Sequence, residues 1–85
     1  MIERNVQINS SFEPKEAAML VQTASRFKSS ISLIHEEKTA NAKSIMGIIS
    51  LNLQGGQTVK IEANGDDDRE AISVMEQFLA AAKPA

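Results

Sequence analysis

The spacing of apolar positions changes along the chain, and each change marks a new predicted element. Between Ile2 and Ile8 the apolar residues fall on even positions, which predicts a half-buried first strand. Pro14 is then expected to be the first residue of a helix with Glu13 near its N-cap. In this helix, spacings of three and four predict one buried stripe, formed by Ala17, Leu20, Val21, Ala24 and Phe27.

The middle of the chain predicts a hairpin followed by a short helix. Residues 31–35 favour a strand, residues 36–38 a polar turn, and residues 39–41 a short second arm. Ser44 stands before an apolar segment, where its hydroxyl can cap a helix that extends to about Leu53. The residues of this helix available for burial are Ile45, Ile48, Ile49 and either Leu51 or Leu53.

The last third predicts one strand and one helix. Two glycines within 54–57 end the central helix, and residues 58–63 alternate as a strand with Val59, Ile61 and Ala63 inward. Aspartates at 66–68 are expected to form the solvated start of a helix from about Asp67 to Ala82. The buried side of that helix is predicted to consist of Ala71, Ile72, Met75, Phe78 and Leu79. The resulting order, β-α-β-β-α-β-α, predicts a two-layer α+β fold, a four-stranded antiparallel sheet with three helices on one face.

Composition indicates a single domain over residues 1–85 with a core of aliphatic side chains. The chain is 42% hydrophobic, has three Phe and no Cys, and carries a net charge of −2. This charge argues against direct binding of nucleic acid, for which a basic face is expected. The start of the chain does not resemble a signal peptide, and no apolar run approaches a membrane span. We therefore expect a soluble, cytoplasmic protein that is not bound to a membrane.

The sequence offers no recognisable catalytic or cofactor site. His35 is the single histidine and has no evident partner for acid–base chemistry. The acidic residues at 66–70 lack the ligand spacing of a calcium loop, and Gly55 and Gly56 do not open a helix as a phosphate-binding loop would. We expect a protein that is not an enzyme and holds no metal or cofactor.

Ser44 is the position with a second possible chemistry. The start of a helix favours negative charge, so a phosphate on this serine would be tolerated there. From the residues alone, Ser44 is either a cap only or a cap that is also modified. Met46 is either an exposed anchor beside this serine or a core residue, and Lys43 is either solvated or in contact with the phosphate.

Nearly the whole chain resembles the histidine-containing phosphocarrier family, HPr, of the bacterial sugar phosphotransferase system. Residues 41–51, Asn-Ala-Lys-Ser-Ile-Met-Gly-Ile-Ile-Ser-Leu, are similar to the regulatory serine segment of that family. The pairs at 17–18, 21–22 and 26–27 in the first helix strengthen the resemblance. It implies the open-faced β-sandwich of the family.

The chain departs from this family in its carrier loop. Where a phosphocarrier has Gly-Leu-His-Ala-Arg-Pro-Ala, residues 11–17 read Ser-Phe-Glu-Pro-Lys-Glu-Ala, so Glu13 stands at the position of the phosphorylated histidine. Lys15 replaces an arginine, and Glu16 adds a negative charge in place of proline. Loss of the histidine with retention of the serine resembles the catabolite-repression branch, Crh.

That resemblance implies phosphorylation of Ser44 by an HPr kinase/phosphorylase and docking on a LacI-type catabolite control protein. Partner contacts are expected from Lys15, Lys43, Ile45, Met46 and Ile49. Two alternatives remain open: Glu13 supplies a permanent negative charge to a partner, or it carries phosphate as an acyl phosphate. The expected oligomeric state is a monomer or a weak dimer formed by exchange of the first strand.

Overall fold

The computed structural model describes residues 1–9 and 12–80. Four strands and three helices follow one another in these residues, in the order that the sequence predicts. Their bounds are β1 (Ile2–Gln7), α1 (Pro14–Ala24), β2 (Ser30–His35), β3 (Lys38–Asn41), α2 (Ile45–Ser50), β4 (Thr58–Asn64) and α3 (Asp68–Ala80).

The strands form a single antiparallel sheet in the order β1-β4-β2-β3. Alternation along β4 places Val59, Ile61 and Ala63 in the core, as predicted, while Glu62 pairs with Glu3 on the other face. The helices cover one face, since α3 lies against β1 and β4, and α2 lies against α1 and β3. The predicted α+β open-faced sandwich is confirmed.

The core beneath the helices is aliphatic. Leu20, Leu33, Ile61 and Met75 are completely buried, and the four elements that contribute them meet in the core. Phe27 and Phe78 pack against this cluster but stay half-buried, so the predicted burial of both is only partial. None of the helices in the described part of the chain has the length and apolarity that a membrane span requires.

One predicted helix end is wrong, and one predicted helix start agrees within a residue. Helix α2 ends at Ser50 rather than near Leu53, because Asn52 adopts a left-handed conformation (φ 56°) that turns the chain. Leu51 and Leu53 are nevertheless both buried, as side chains of this turn. Helix α3 begins at Asp68, and its predicted end at Ala82 lies outside the described residues.

The prediction for Asp67 is also wrong in one respect. Its carboxylate is not merely a solvated group at a helix start, because it accepts hydrogen bonds from the backbone N–H groups of Lys28 and Ser29, both at 2.9 Å, and from the Ser29 hydroxyl. This contact joins the turn before α3 to the turn before β2.

Candidate functional site

Ser44 caps α2, which confirms the structural part of its prediction. Its backbone is extended (φ −114°, ψ 113°), and its Oγ accepts the N–H of Gly47 at 3.2 Å. The approach to the cap is fixed by Asn41, whose side-chain Oδ1 accepts the N–H of Lys43 and whose carbonyl accepts the N–H of Ser44. The hydroxyl group therefore occupies a defined position at the start of a helix, and the residue is half-buried.

Exposed apolar side chains surround this cap. Helix α2 has only six residues and buries Ile48, while Met46 is 75% exposed, Ile49 48% and Ile45 37%. The sequence left Ile45 and Ile49 available either for the core or for partner contacts, and a helix this short presents one buried face and leaves the other to solvent. Met46 is accordingly an exposed side chain and not core filler.

The side chain of Lys43 is hydrogen-bonded within the protein and is not simply solvated. Its Nζ donates a hydrogen bond of 2.8 Å to the carbonyl oxygen of Phe27, in the loop that follows α1. The lysine thereby ties the serine segment to a loop 16 residues earlier in the chain. This structural contact was not evident from the sequence.

The residues at the start of α1 are those that differ from the carrier loop of the phosphocarrier family. Glu13 is the N-cap and Pro14 the first helical residue, as predicted. The carboxylate of Glu16 accepts the backbone N–H of Glu13 at 3.0 Å, which is half of a capping box. Glu16 therefore stabilises the turn that holds Glu13, and both Glu13 and Lys15 are exposed.

A cavity of about 120 Å³ joins the start of α1 to α2. Binding sites for small molecules usually have about 300–1,000 Å³, so this cavity suits a single side chain of a partner. It brings together Glu13 and Ile49, whereas Lys15 does not line it. The lining residues are Phe12, Glu13, Pro14, Ala17, Ile48, Ile49, Asn52 and Leu53.

Met19 on α1 is a further exposed apolar residue that was not predicted as part of the site. It is 44% exposed. Its exposure could have been predicted, because Met19 lies off the predicted buried stripe of α1. Within residues 1–9 and 12–80, no three His, Asp or Glu side chains are grouped as metal ligands.

Comparisons with known proteins agree with this architecture. A family model described as the PTS HPr component phosphorylation site matches residues 2–81. The HPr-like protein Crh of Halalkalibacterium halodurans is 36% identical over 81 residues, which are 93% of this chain and 96% of that protein.

Solved structures give the same result. The phosphocarrier protein HPr of Bacillus anthracis superposes with a TM-score of 0.89 at 35% identity, over 92% of this chain and 95% of that chain. Crh of Bacillus subtilis, described as an intertwined dimer with a swapping domain, gives 0.76 at 34% identity, over 93% of both chains.

The fold and the capped serine beside an exposed apolar helix face define a small α+β protein of the open-faced sandwich class. The chain belongs to the HPr family of the phosphotransferase system.

Proposed function

We propose that this protein is a non-enzymatic regulator of carbon catabolite control, switched by phosphorylation of Ser44. The observation that carries the proposal is the position of the Ser44 hydroxyl at the N-cap of α2, directly beside the exposed Ile45, Met46 and Ile49. The similarity to Crh proteins, whose name denotes catabolite repression, supports the same regulatory role.

Phosphorylation at this position changes the surface without unfolding the helix. A phosphate adds about −1.5 to −2 charges and three acceptor oxygens. The Gly47 N–H, which now donates to Ser44 Oγ, can donate to a phosphate oxygen instead, and the helix N-terminus favours the added charge. The phosphorylated surface then combines a charge with an apolar patch.

The proposed partners follow from this combination and from the family. An HPr kinase/phosphorylase modifies Ser44, and a LacI-type catabolite control protein binds the modified form as its corepressor. Arginines of that partner would pair with the phosphate, while Met46 and Ile49 would be buried against apolar side chains. Lys15 is exposed and free to take part, whereas Lys43 must first leave the Phe27 carbonyl.

Glu13 argues against the ordinary role of a histidine phosphocarrier. A carboxylate cannot form the phosphoramidate through which an imidazole transfers phosphate. Its exposure on the rim of the α1–α2 cavity favours a second candidate, in which Glu13 presents a permanent negative charge to a partner. The third possibility, an acyl phosphate on Glu13, would restore a carrier function.

Incubation with an HPr kinase and ATP, followed by mass spectrometry, tests the switch. We expect one phosphate on the wild type and none on Ser44→Ala. Ser50→Ala is the matched control, because Ser50 is an exposed serine of the same helix whose hydroxyl donates to the Gly47 carbonyl. Loss of the cap should also lower the stability of Ser44→Ala by about 1 kcal/mol. An unmodified wild type would contradict the proposal.

The phosphorylated and unphosphorylated proteins are then titrated into the catabolite control protein by calorimetry. Binding that requires the phosphate supports the corepressor role. Binding by the unphosphorylated protein that Glu13→Gln abolishes supports the second candidate instead.

We also propose that the chain is a monomer or a weak dimer. Its edge strand β1 has one strand partner, β4, which is the arrangement from which a strand can exchange between copies. The swapped dimer of the Bacillus subtilis relative supports this proposal.

A further inference from the structure

A second surface lies between the edge strand β1 and helix α3, on elements that do not form the Ser44 site. Strand β1 pairs with β4 along one side, and within the described residues its other side has no strand partner. Helix α3 packs beside it and leaves a groove of about 530 Å³. The groove is lined by Ile2, Arg4, Arg69, Ile72, Ser73 and Glu76.

The groove has an apolar floor and a basic rim. Ile72 is buried and Ile2 half-buried, while Arg4 and Arg69 are both exposed. Within residues 1–9 and 12–80, neither guanidinium lies within 4.0 Å of a carboxylate. Glu76 lines the same groove without reaching either arginine at that distance. The groove therefore has a local charge of +1 on a chain whose net charge is −2.

We propose that this groove binds an extended, acidic segment of a partner protein by strand addition to β1. The free side of β1 offers backbone hydrogen bonds, which give an added strand its affinity, and side-chain pockets give it specificity. Because side chains of a strand alternate, residues i and i+2 of the added segment would both face the helix side of the sheet. One apolar residue would cover Ile2 and one acidic residue would pair with Arg4, with Arg69 across the groove.

Charge favours an acidic partner over a second copy of this chain. Antiparallel pairing of two β1 strands would place Glu3 opposite Glu3 if it is centred between Ile2 and Arg4, and Arg4 opposite Arg4 if it is centred on Arg4. Like charges directly opposite each other destabilise a strand pair. An acidic strand replaces that repulsion with attraction.

Selection from a displayed library of random heptapeptides without proline tests this inference. The unphosphorylated protein is the target, so the outcome does not depend on the Ser44 switch. We expect enrichment of peptides in which Asp or Glu alternates with an apolar residue at positions i and i+2. Recovery of these peptides should fall at least tenfold on the double variant Arg4→Glu/Arg69→Glu.

The matched control is Arg26→Glu, an exposed arginine after α1, which should recover the peptides as the wild type does. Circular dichroism establishes that each variant is folded. Amide NMR shifts on adding one enriched peptide should map to β1 and α3. Enrichment without acidic residues, equal recovery on the double variant, or shifts at α1 and α2 would overturn the proposal. If the β1 amide shifts change with protein concentration in the absence of peptide, a second copy of the chain binds the edge of β1. That result would also overturn the proposal.

Discussion

Within residues 1–9 and 12–80, Asp67 has a carboxylate whose surroundings differ clearly from those of an ordinary surface carboxylate. Its hydrogen bond from the buried Ser29 hydroxyl, followed by that from the Lys28 N–H, lowers its pKa from 3.8 to about 2. The two donor residues, Lys28 and Ser29, lie 39 and 38 residues before Asp67 in the chain. The ionised carboxylate of Asp67 is therefore more strongly stabilised in the folded protein than in the unfolded chain.

The pH dependence of stability should report this contact. Because the folded pKa is lowered, the contribution of Asp67 is complete above the unfolded pKa and is lost as pH falls from about 4 to about 2. Urea unfolding of Asp67→Asn should show lower stability than the wild type at pH 7 and a smaller loss between pH 4 and pH 2. Asp66→Asn, which changes the exposed neighbouring carboxylate, should keep the wild-type profile. Equal slopes for the wild type and Asp67→Asn would contradict this explanation.

At the scale of the elements, strands β2 and β3 are joined by a two-residue loop whose conformation the residues Glu36 and Glu37 do not favour. His35 pairs with Lys38, so Glu36 and Glu37 alone form the turn, and Glu36 has a φ of 60°. Two-residue hairpin loops need positive φ, for which Gly and Asn are the usual residues. The predicted turn at 36–38 was one residue too long, because Lys38 belongs to β3.

Glu36→Asn should therefore stabilise the protein. Asn tolerates the left-handed region better than Glu, and we expect a gain of about 0.5–1 kcal/mol in the free energy of unfolding. Urea titration measures this gain. Glu37→Asn makes the same change of charge at the neighbouring position and should give a markedly smaller gain. Equal effects from the two variants would show that charge, and not backbone strain, is responsible.

At the scale of the whole molecule, two turns from distant parts of the chain touch at one end of the sheet, where β2 begins beside the end of β4. Gly65 packs so closely on Ser29 that a Cβ at this glycine would lie 2.6 Å from Ser29 Oγ and 2.7 Å from Ser29 Cα. Its φ of 154° also disfavours any other residue. The turn before α3 can therefore approach β2 only with glycine at this position.

Gly65→Ala should cost about 3 kcal/mol, since backbone strain and a steric clash add. Gly56→Ala separates these causes. Gly56 also has a positive φ, 91°, but nothing lies within 4 Å of the position its Cβ would take. We expect Gly56→Ala to cost about 1 kcal/mol, from strain alone. Thermal unfolding of both variants measures the difference, and a similar loss for the two would argue against the close packing at Ser29.

The candidate site was only partly accessible from the sequence. The cap at Ser44 and the helix entrance at Glu13 were predictable, because both depend on residues within a few positions of the helix start. The exposure of Ile45 and Ile49 was not, since an isoleucine of a short helix can face either side. The contact of Lys43 with Phe27 and the cavity shared by Glu13 and Ile49 both join segments far apart in sequence.

The sequence by itself determined the order of the elements, the inward side of β4 and the identity of the capping serine. Each of these follows from periodicity or from local hydrogen bonding, which neighbouring residues specify. Only the tertiary structure decided that Asp67 accepts hydrogen bonds from the turn before β2, that Met46 is exposed, and that β1 and α3 form a groove with two arginines on its rim. Such features depend on which surfaces remain uncovered or come into contact when distant segments pack.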